Sequence, residues 1–201
     1  MSINLTLRKD TDRILFCSSK WWGNPDMPEA MQYPTVRVNE DGESYDYPLT
    51  FLCQINCEDI SKYDAEGLLP HEGMLYFFAA IDECLGYDAP YRTLIGEWEK
   101  GKVVVKYAKE INFETFQTVL LEGEGGEDLA DGELVLEFST GGDGKISLLA
   151  DDADDGFVTL LRISGNEILK VSGAEFSIRI KKSDLHYGNW KRAFGQLAIS
   201  N

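Results

Sequence analysis

Residues 48–78 read PLTFLCQINCEDISKYDAEGLLPHEGMLYFF, and this stretch decides the fold. Two apolar runs, Leu49–Cys57 and Met74–Ile81, flank an acidic connection punctuated by Gly67, Pro70 and Gly73. Each run is short, rich in aliphatic and aromatic residues, and bounded by turn formers, the pattern of a buried strand. The pair is the expected heart of the core, with a short helix predicted over Glu58–Asp64 between the two strands.

Further strands are predicted on both sides. Ile3–Leu7 alternates apolar and polar residues, and Ile14–Cys17 reads as a second strand. Ser18–Pro28, SSKWWGNPDMP, reads as loop because Gly, Asn and two prolines interrupt it. Thr35–Val38 and Tyr45–Pro48 bracket Asp41-Gly42, the signature of a tight hairpin. Leu85–Pro90 reads as loop, Lys102–Ala108 as a β-branched strand, and Phe113–Leu121 leans to strand. Glu122–Gly132, EGEGGEDLADG, is an acidic, glycine-rich connection. After it, Glu133–Ser139, Ile146–Ala150, Phe157–Ile163 and Ala174–Ile180 read as strands, with turns at Gly141–Gly144 and Asp151–Gly156. Ser183 is the expected cap of a short terminal helix. The expectation is therefore a β-rich α+β protein, mostly antiparallel, with a few short helices.

The pair TFLCQIN and MLYFF resembles the later pair VTLLRIS and AEFSIRI. This leaves open two similar tandem halves, 1–121 and 133–201, sharing one core within a single domain 1–201.

The charge is uneven. The chain of 201 residues carries 35 acids against 19 Lys and Arg, a net charge of −16. Glu122–Asp155 holds twelve acids and one base, whereas Gly156–Asn201 holds three acids and seven bases. Such a surface argues against nucleic-acid binding, which needs clustered Lys and Arg at the phosphates. It suits a basic protein partner steered by complementary potential, or it serves solubility alone. No apolar run reaches the ~18–20 residues that span a bilayer. None makes a secretory signal either, so a cytoplasmic location is expected.

Motifs that carry chemistry fail one by one. Cys53 and Cys57 lack the tight-turn spacing of zinc ligands, and Cys17, Cys53, Cys57 and Cys84 read as small apolar residues. In Asp151–Asp155 a calcium loop begun at Asp151 would place Ala153 at its third position and Arg162 at its twelfth, where a bidentate Glu is required. Gly144-Lys145 is not followed by Ser or Thr, so there is no phosphate loop. There is no Gly-x-Ser-x-Gly elbow, and His71 and His186 read as surface residues. No cofactor, metal or catalytic residue is expected, and whether the protein is an enzyme stays open. The polar residues that stand out are Lys20, Gln54 and Asn56, with Trp21 and Trp22. Gln54 and Asn56 interrupt an apolar strand on one face, so they are either hydrogen-bonded structural pins or the lining of a cleft that Lys20 and the tryptophans complete.

Ser19-Lys20-Trp21-Trp22-Gly23, Tyr33-Pro34, PLTFLCQIN and LLPHEGMLYFF together resemble the YwqG-like family of uncharacterised bacterial proteins. FVTLLRISG and KKSDL are similar to the family's second half. Trp22 replaces the first Gly of the family's Gly pair, and Arg162 stands where Gln is usual. The resemblance implies a β-rich α+β fold with tandem similar halves and carries over no catalytic residues. Three readings remain: an immunity-like protein-interaction module whose acidic face is Glu122–Asp155, a small-molecule or enzymatic pocket near the Ser-Lys-Trp-Trp-Gly loop, or a structural or housekeeping binder with no site legible in the sequence.

Overall fold

The computed structural model describes residues 2–9, 14–81, 103–120, 133–141, 144–150, 156–165 and 167–199. The loops expected at Leu85–Pro90 and Glu122–Gly132, the acidic run 151–155 and Cys84 lie outside them. Ten strands form one antiparallel sheet: β1 (Ile3–Arg8), β2 (Lys20–Trp21), β6 (Thr50–Asn56), β7 (Met74–Ala79), β8 (Val103–Ala108), β10 (Leu134–Thr140), β11 (Ile146–Ala150), β12 (Phe157–Ser164), β13 (Ala174–Lys181) and β14 (Phe194–Ile199). Their order is β14-β13-β12-β11-β1-β10-β2-β6-β7-β8. The outermost strands β8 and β14 come against each other. Across that seam the Tyr107 ring of β8 packs 5.9 Å from Trp190, on the 3-10 turn Trp190–Arg192. The sheet is thus a nearly closed barrel.

This corrects the expected α+β class. Strands hold 51% of the described residues and helices 8%. Among the described residues the helices are α1 (Cys57–Ile60), α2 (Lys182–His186) and the 3-10 turn, each about one turn long. Elements that short bury too little surface to form a layer, so among the described residues the core is built by the sheet, with Cys57, Ile60 and Leu185 of the helical turns plugging it. α2 also lacks the expected Ser183 cap: its N-terminal flanking residue is Lys181, with no side-chain hydrogen bond.

The apolar runs are continuous because β7 is buried on both faces. Leu75, Phe77 and Ala79 point into the barrel with Trp21, Ile55, Leu136, Ile163 and Phe176. Met74, Tyr76 and Phe78 point outward into a second cluster with Met27, Val38 and Phe116. Two small ribbons cover that outer face: β3 (Asp26–Pro28) with β9 (Phe116–Thr118), and β4 (Thr35–Glu40) with β5 (Glu43–Pro48). The β4–β5 turn uses Asp41 at φ 51° and Gly42 at φ 86°, the two positive φ angles of a tight hairpin turn.

Three other expectations change. Ile14–Cys17 is not a strand, and Ile14 is 91% exposed. Lys20–Trp21, expected in a loop, is a strand in the middle of the sheet. Among the described residues of Phe113–Leu121 only Phe116–Thr118 is strand, and the closing strand β14 had no sequence forecast.

Segments 1–121 and 133–201 share this sheet and interleave at its centre, where β10 lies between β1 and β2. Read inward from either edge, the order is β8-β7-β6-β2 on one side and β14-β13-β12-β11 on the other. Both inner pairs carry a register irregularity at the same place, between Phe51 and Cys53 and between Thr159 and Leu161. Each turns two successive residues, Leu52-Cys53 and Leu160-Leu161, into the core.

Candidate functional site

β2 is two residues long and sends its side chains to opposite faces. Trp21 enters the barrel core at 1% exposure, and Lys20 points outward yet is only 2% exposed. What covers Lys20 is β3, which the turn at Gly23 brings back over the sheet. Gly23 has φ 77°, and a Cβ there would overlap the Glu133 side chain.

Asp26 of β3 sits at the centre. Its Oδ2 lies 3.0 Å from Lys20 Nζ and accepts from the Cys17 backbone N–H and Gln54 Nε2, each at 2.9 Å. Its Oδ1 accepts from the Thr118 hydroxyl at 2.7 Å. Its backbone N–H donates to Gln54 Oε1 at 2.8 Å, and its carbonyl accepts from the Tyr76 hydroxyl at 2.7 Å. Lys20 Nζ also lies 3.0 Å from Glu133 Oε1. One buried cation thus stands between two carboxylates, and Gln54 closes a ring on Asp26 with both ends of its amide. A buried charge is tolerated only when so paired and hydrogen-bonded. The arrangement is an internal brace tying β2, β3, β6, β7 and β9 together.

The remaining candidates take separate places. Asn56 accepts from the Glu58 backbone N–H at 3.1 Å, capping α1, and donates from Nδ2 to the Cys17 carbonyl at 3.3 Å. Its own backbone N–H donates to Ser19 Oγ, whose hydroxyl donates to Asp59 at 2.6 Å. Trp22 is half-buried with φ 63°, its ring 6.0 Å from that of Trp21. The structure therefore brings Lys20 and Gln54 together, sets Asn56 beside them, and puts Trp21 across the sheet. Sequence reasoning missed Asp26, Thr118, Tyr76 and Glu133. The one signal available was Gln54, since a polar residue inside an apolar run must find hydrogen-bond partners when that run is buried.

Burial raises the Cys17 and Cys57 thiols to about 12, with nearby Asp26 adding to the effect at Cys17, and burial also raises Cys53. A thiol is nucleophilic as the thiolate, so none of the three is poised for attack. His71 Nε2 lies 3.4 Å from Asp64 Oδ2, which accepts from the Leu69 backbone N–H at 2.7 Å. Among the described residues no histidine is hydrogen-bonded to a thiol or hydroxyl, and no three His, Cys, Asp or Glu side chains are grouped to hold a metal ion. No helix of the described residues is long and apolar enough to cross a membrane.

An open groove of about 630 Å³ runs beside the Ser18–Trp21 segment. Ser18, Ser19, Asp59, Lys62, Glu137 and the Tyr63–Phe138 ring pair, 6.4 Å apart, border it. Lys62 Nζ lies 4.8 Å from the Tyr63 ring centre, and Glu137 pairs with Arg8 at 3.1 Å. Beyond Tyr63 a second depression of about 410 Å³ opens towards Asp64, Glu66 and Lys182.

Compared with known families, residues 19–193 match the model described as a domain of unknown function, DUF1963. No curated protein matches the chain.

Proposed function

The chain belongs to the DUF1963 family, and we propose that it works as a protein-interaction module that docks a basic partner in the groove beside Ser18–Trp21. One observation carries the reading: on a chain of net charge −16, the Asp59 and Glu137 carboxylates border the groove together with the Tyr63–Phe138 ring pair. There the chain's own Arg8 on Glu137 and Lys62 on the Tyr63 ring already make the contacts a basic partner would make. Carboxylates beside aromatic faces suit Lys and Arg side chains, through charge pairing and cation–π contact. The Lys20–Asp26 brace behind the groove consumes its own polar groups, which makes it a rigid support. In its specific form the role is immunity-like: the partner is a basic protein that the complex neutralises. Within the family we place the chain among YwqG-like proteins, on the Ser19–Gly23 and Leu69–Gly73 motifs.

The test is purification of tagged protein from its native cell at low salt, repeated with Asp59→Lys. A stoichiometric basic protein, released by moderate salt and absent from the variant, is the expected result, because exposed charge pairs are screened within about 8–10 Å at physiological ionic strength. Partner-free protein, or binding indifferent to salt, overturns the reading.

A second reading rests on the groove's size. About 630 Å³ lies in the range of small-molecule sites, and the groove borders the Ser-Lys-Trp-Trp-Gly segment. A metabolite that raises Tm in wild type and not in Ser19→Ala would favour it over a protein partner.

A further inference from the structure

The brace around Lys20 has a counterpart on the other side of the barrel whose polar groups are left unsatisfied. The two register irregularities align β6–β7 with β12–β13, so that Leu52-Cys53 corresponds to Leu160-Leu161 and the next residue, Gln54, corresponds to Arg162. The neighbouring strand confirms the alignment, since Lys20 opposes Gln54 and Ser147 opposes Arg162. Ser147 and Arg162 therefore occupy, on the outer face of the second strand set, the places that Lys20 and Gln54 occupy on the first.

The covering differs. Between β2 and β6 the chain spends residues 22–49 on an excursion that lays β3 over the sheet and inserts the Asp26 carboxylate. Between β11 and β12 only residues 151–156 intervene. Ser147 is 0% exposed and its hydroxyl oxygen has no hydrogen-bond partner among the described residues. Arg162 Nε is buried and also lacks one. Two adjacent buried polar groups without partners are rare in a folded protein, because each forfeits its hydration for nothing.

The surroundings carry positive charge. Arg179 lies on the same face, donating from Nη1 to Gln196 Oε1 at 3.1 Å with its guanidinium 5.1 Å from the Phe157 ring centre. Lys181 is two residues further along, and Ser177 opposes Arg162. Glu175, an acid of that face, opposes Ser164 and forms no ion pair with Arg162. The segment Gly156–Asn201 is net basic on an acidic chain.

We propose that Ser147 and Arg162 form a binding site for a carboxylate ligand, which takes the place that Asp26 fills on the first strand set. Arg162 donates from its guanidinium fork, the geometry that matches a carboxylate. The Ser147 hydroxyl donates a further hydrogen bond, and Arg179 supplies a second positive charge beside the site. The ligand is a small organic acid or the acidic side chain of a peptide, recognised by the same group.

The Arg Nε–H gives its own signal in a nitrogen–proton correlation spectrum, so the site reports on itself. Full-length labelled protein is titrated with glutarate, with N-acetylaspartate amide, with inorganic phosphate, and with sodium chloride at matched ionic strength. The expected result is a saturable shift of Arg162 Nε–H and of the Ser147 amide with the carboxylates, at least tenfold weaker in Arg162→Gln and about threefold weaker in Ser147→Ala. Whichever carboxylate binds tighter names the source as free acid or peptide side chain. Each variant is first shown to keep the wild-type spectrum elsewhere, and the surface change Lys182→Gln, away from the site, leaves the affinity unchanged. No saturable shift, a shift that chloride reproduces, tighter binding of phosphate than of either carboxylate, or an undiminished affinity in Arg162→Gln each overturns the proposal. In the first case water alone satisfies the two groups.

Discussion

Lys20 Nζ and Asp26 Oδ2 meet at 3.0 Å with both side chains at 2% exposure or less. The pair binds the centre of the sheet to the ribbon that covers it, with Glu133 as the second counterion on the cation's other side. Gln54 is the element that makes the geometry single-valued, since its amide fits Asp26 in one orientation only: carbonyl to the backbone N–H, NH2 to the carboxylate.

Removing one partner of such a pair strands the other. Asp26→Asn leaves Lys20 buried beside Glu133 alone and takes a charged acceptor from Cys17 N–H, Gln54 and Thr118. A loss of about 3–5 kcal/mol of unfolding free energy is expected, read as the shift of the urea midpoint. Lys20→Met falls in the same range, and the double variant Lys20→Met/Asp26→Asn loses less than the sum of the two. Additive losses would show that the two groups do not act as a pair.

Gly73 precedes β7 at φ 80°, where a Cβ would overlap the Ala108 carbonyl oxygen, a backbone atom that cannot move aside. Gly73→Ala is expected to cost about 2–4 kcal/mol from the strained φ together with the overlap. Gly42→Ala, at φ 86° but with open space around it, isolates the φ contribution at about 1 kcal/mol. Equal losses at the two sites would remove steric closeness as the cause.

Asn56 ends β6 and begins α1 with one side chain. Asn56→Ala is expected to lose about 1–2 kcal/mol, as capping residues do. Asn56→Ser, which keeps an acceptor for the Glu58 N–H, should recover most of it. Thermal melts of the two variants side by side decide the matter, and equal Tm values would argue against the cap.

The buried thiols set an alkaline limit. Cys17 and Cys57 titrate near 12 in the folded chain and at their ordinary value of 9.0 when unfolded. Above pH 9 the unfolded chain gives up these protons while the folded chain keeps them, so the unfolded state is favoured. Stability contributed by neutral burial is complete below pH 9 and declines as pH rises towards 12. Urea midpoints at pH 8 and pH 10.5 measure the fall, and Cys57→Ala should make it shallower. Disulfide-exchange reagents should label these thiols only as fast as the protein opens.

How much of this was legible beforehand is clearest at individual residues. The alternation in Glu133–Ser139, the apolar runs Leu49–Cys57 and Met74–Ile81, and Asp41-Gly42 each announce their element through local periodicity or turn chemistry. Lys20–Trp21 could not be placed that way. Flanked by Ser, Gly, Asn and Pro, it has no strand periodicity, and it is a strand because Val135 and Gln54 on either side accept it into their ladders. Phe194–Ile199 escaped for the same reason, its pairing with β13 being what makes FGQLAI a strand. The expectation of an α+β class failed because a helical turn such as 57–60 is locally plausible, while nothing local shows that the sheet closes on itself.

At the candidate site the division is similar. The sequence by itself determined most of the core strands (though not Lys20–Trp21 or Phe194–Ile199), the acidic excess, and the need for Gln54 and Asn56 to find polar partners if buried, because these follow from side-chain chemistry and short-range period. Only the tertiary structure decided that Asp26 is the partner, that Trp21 and Lys20 face opposite ways, and that Ser147 meets Arg162. Those are contacts between strands distant along the chain. Their register is set by β-bulges and by the closure of the sheet, which no local stretch of residues encodes.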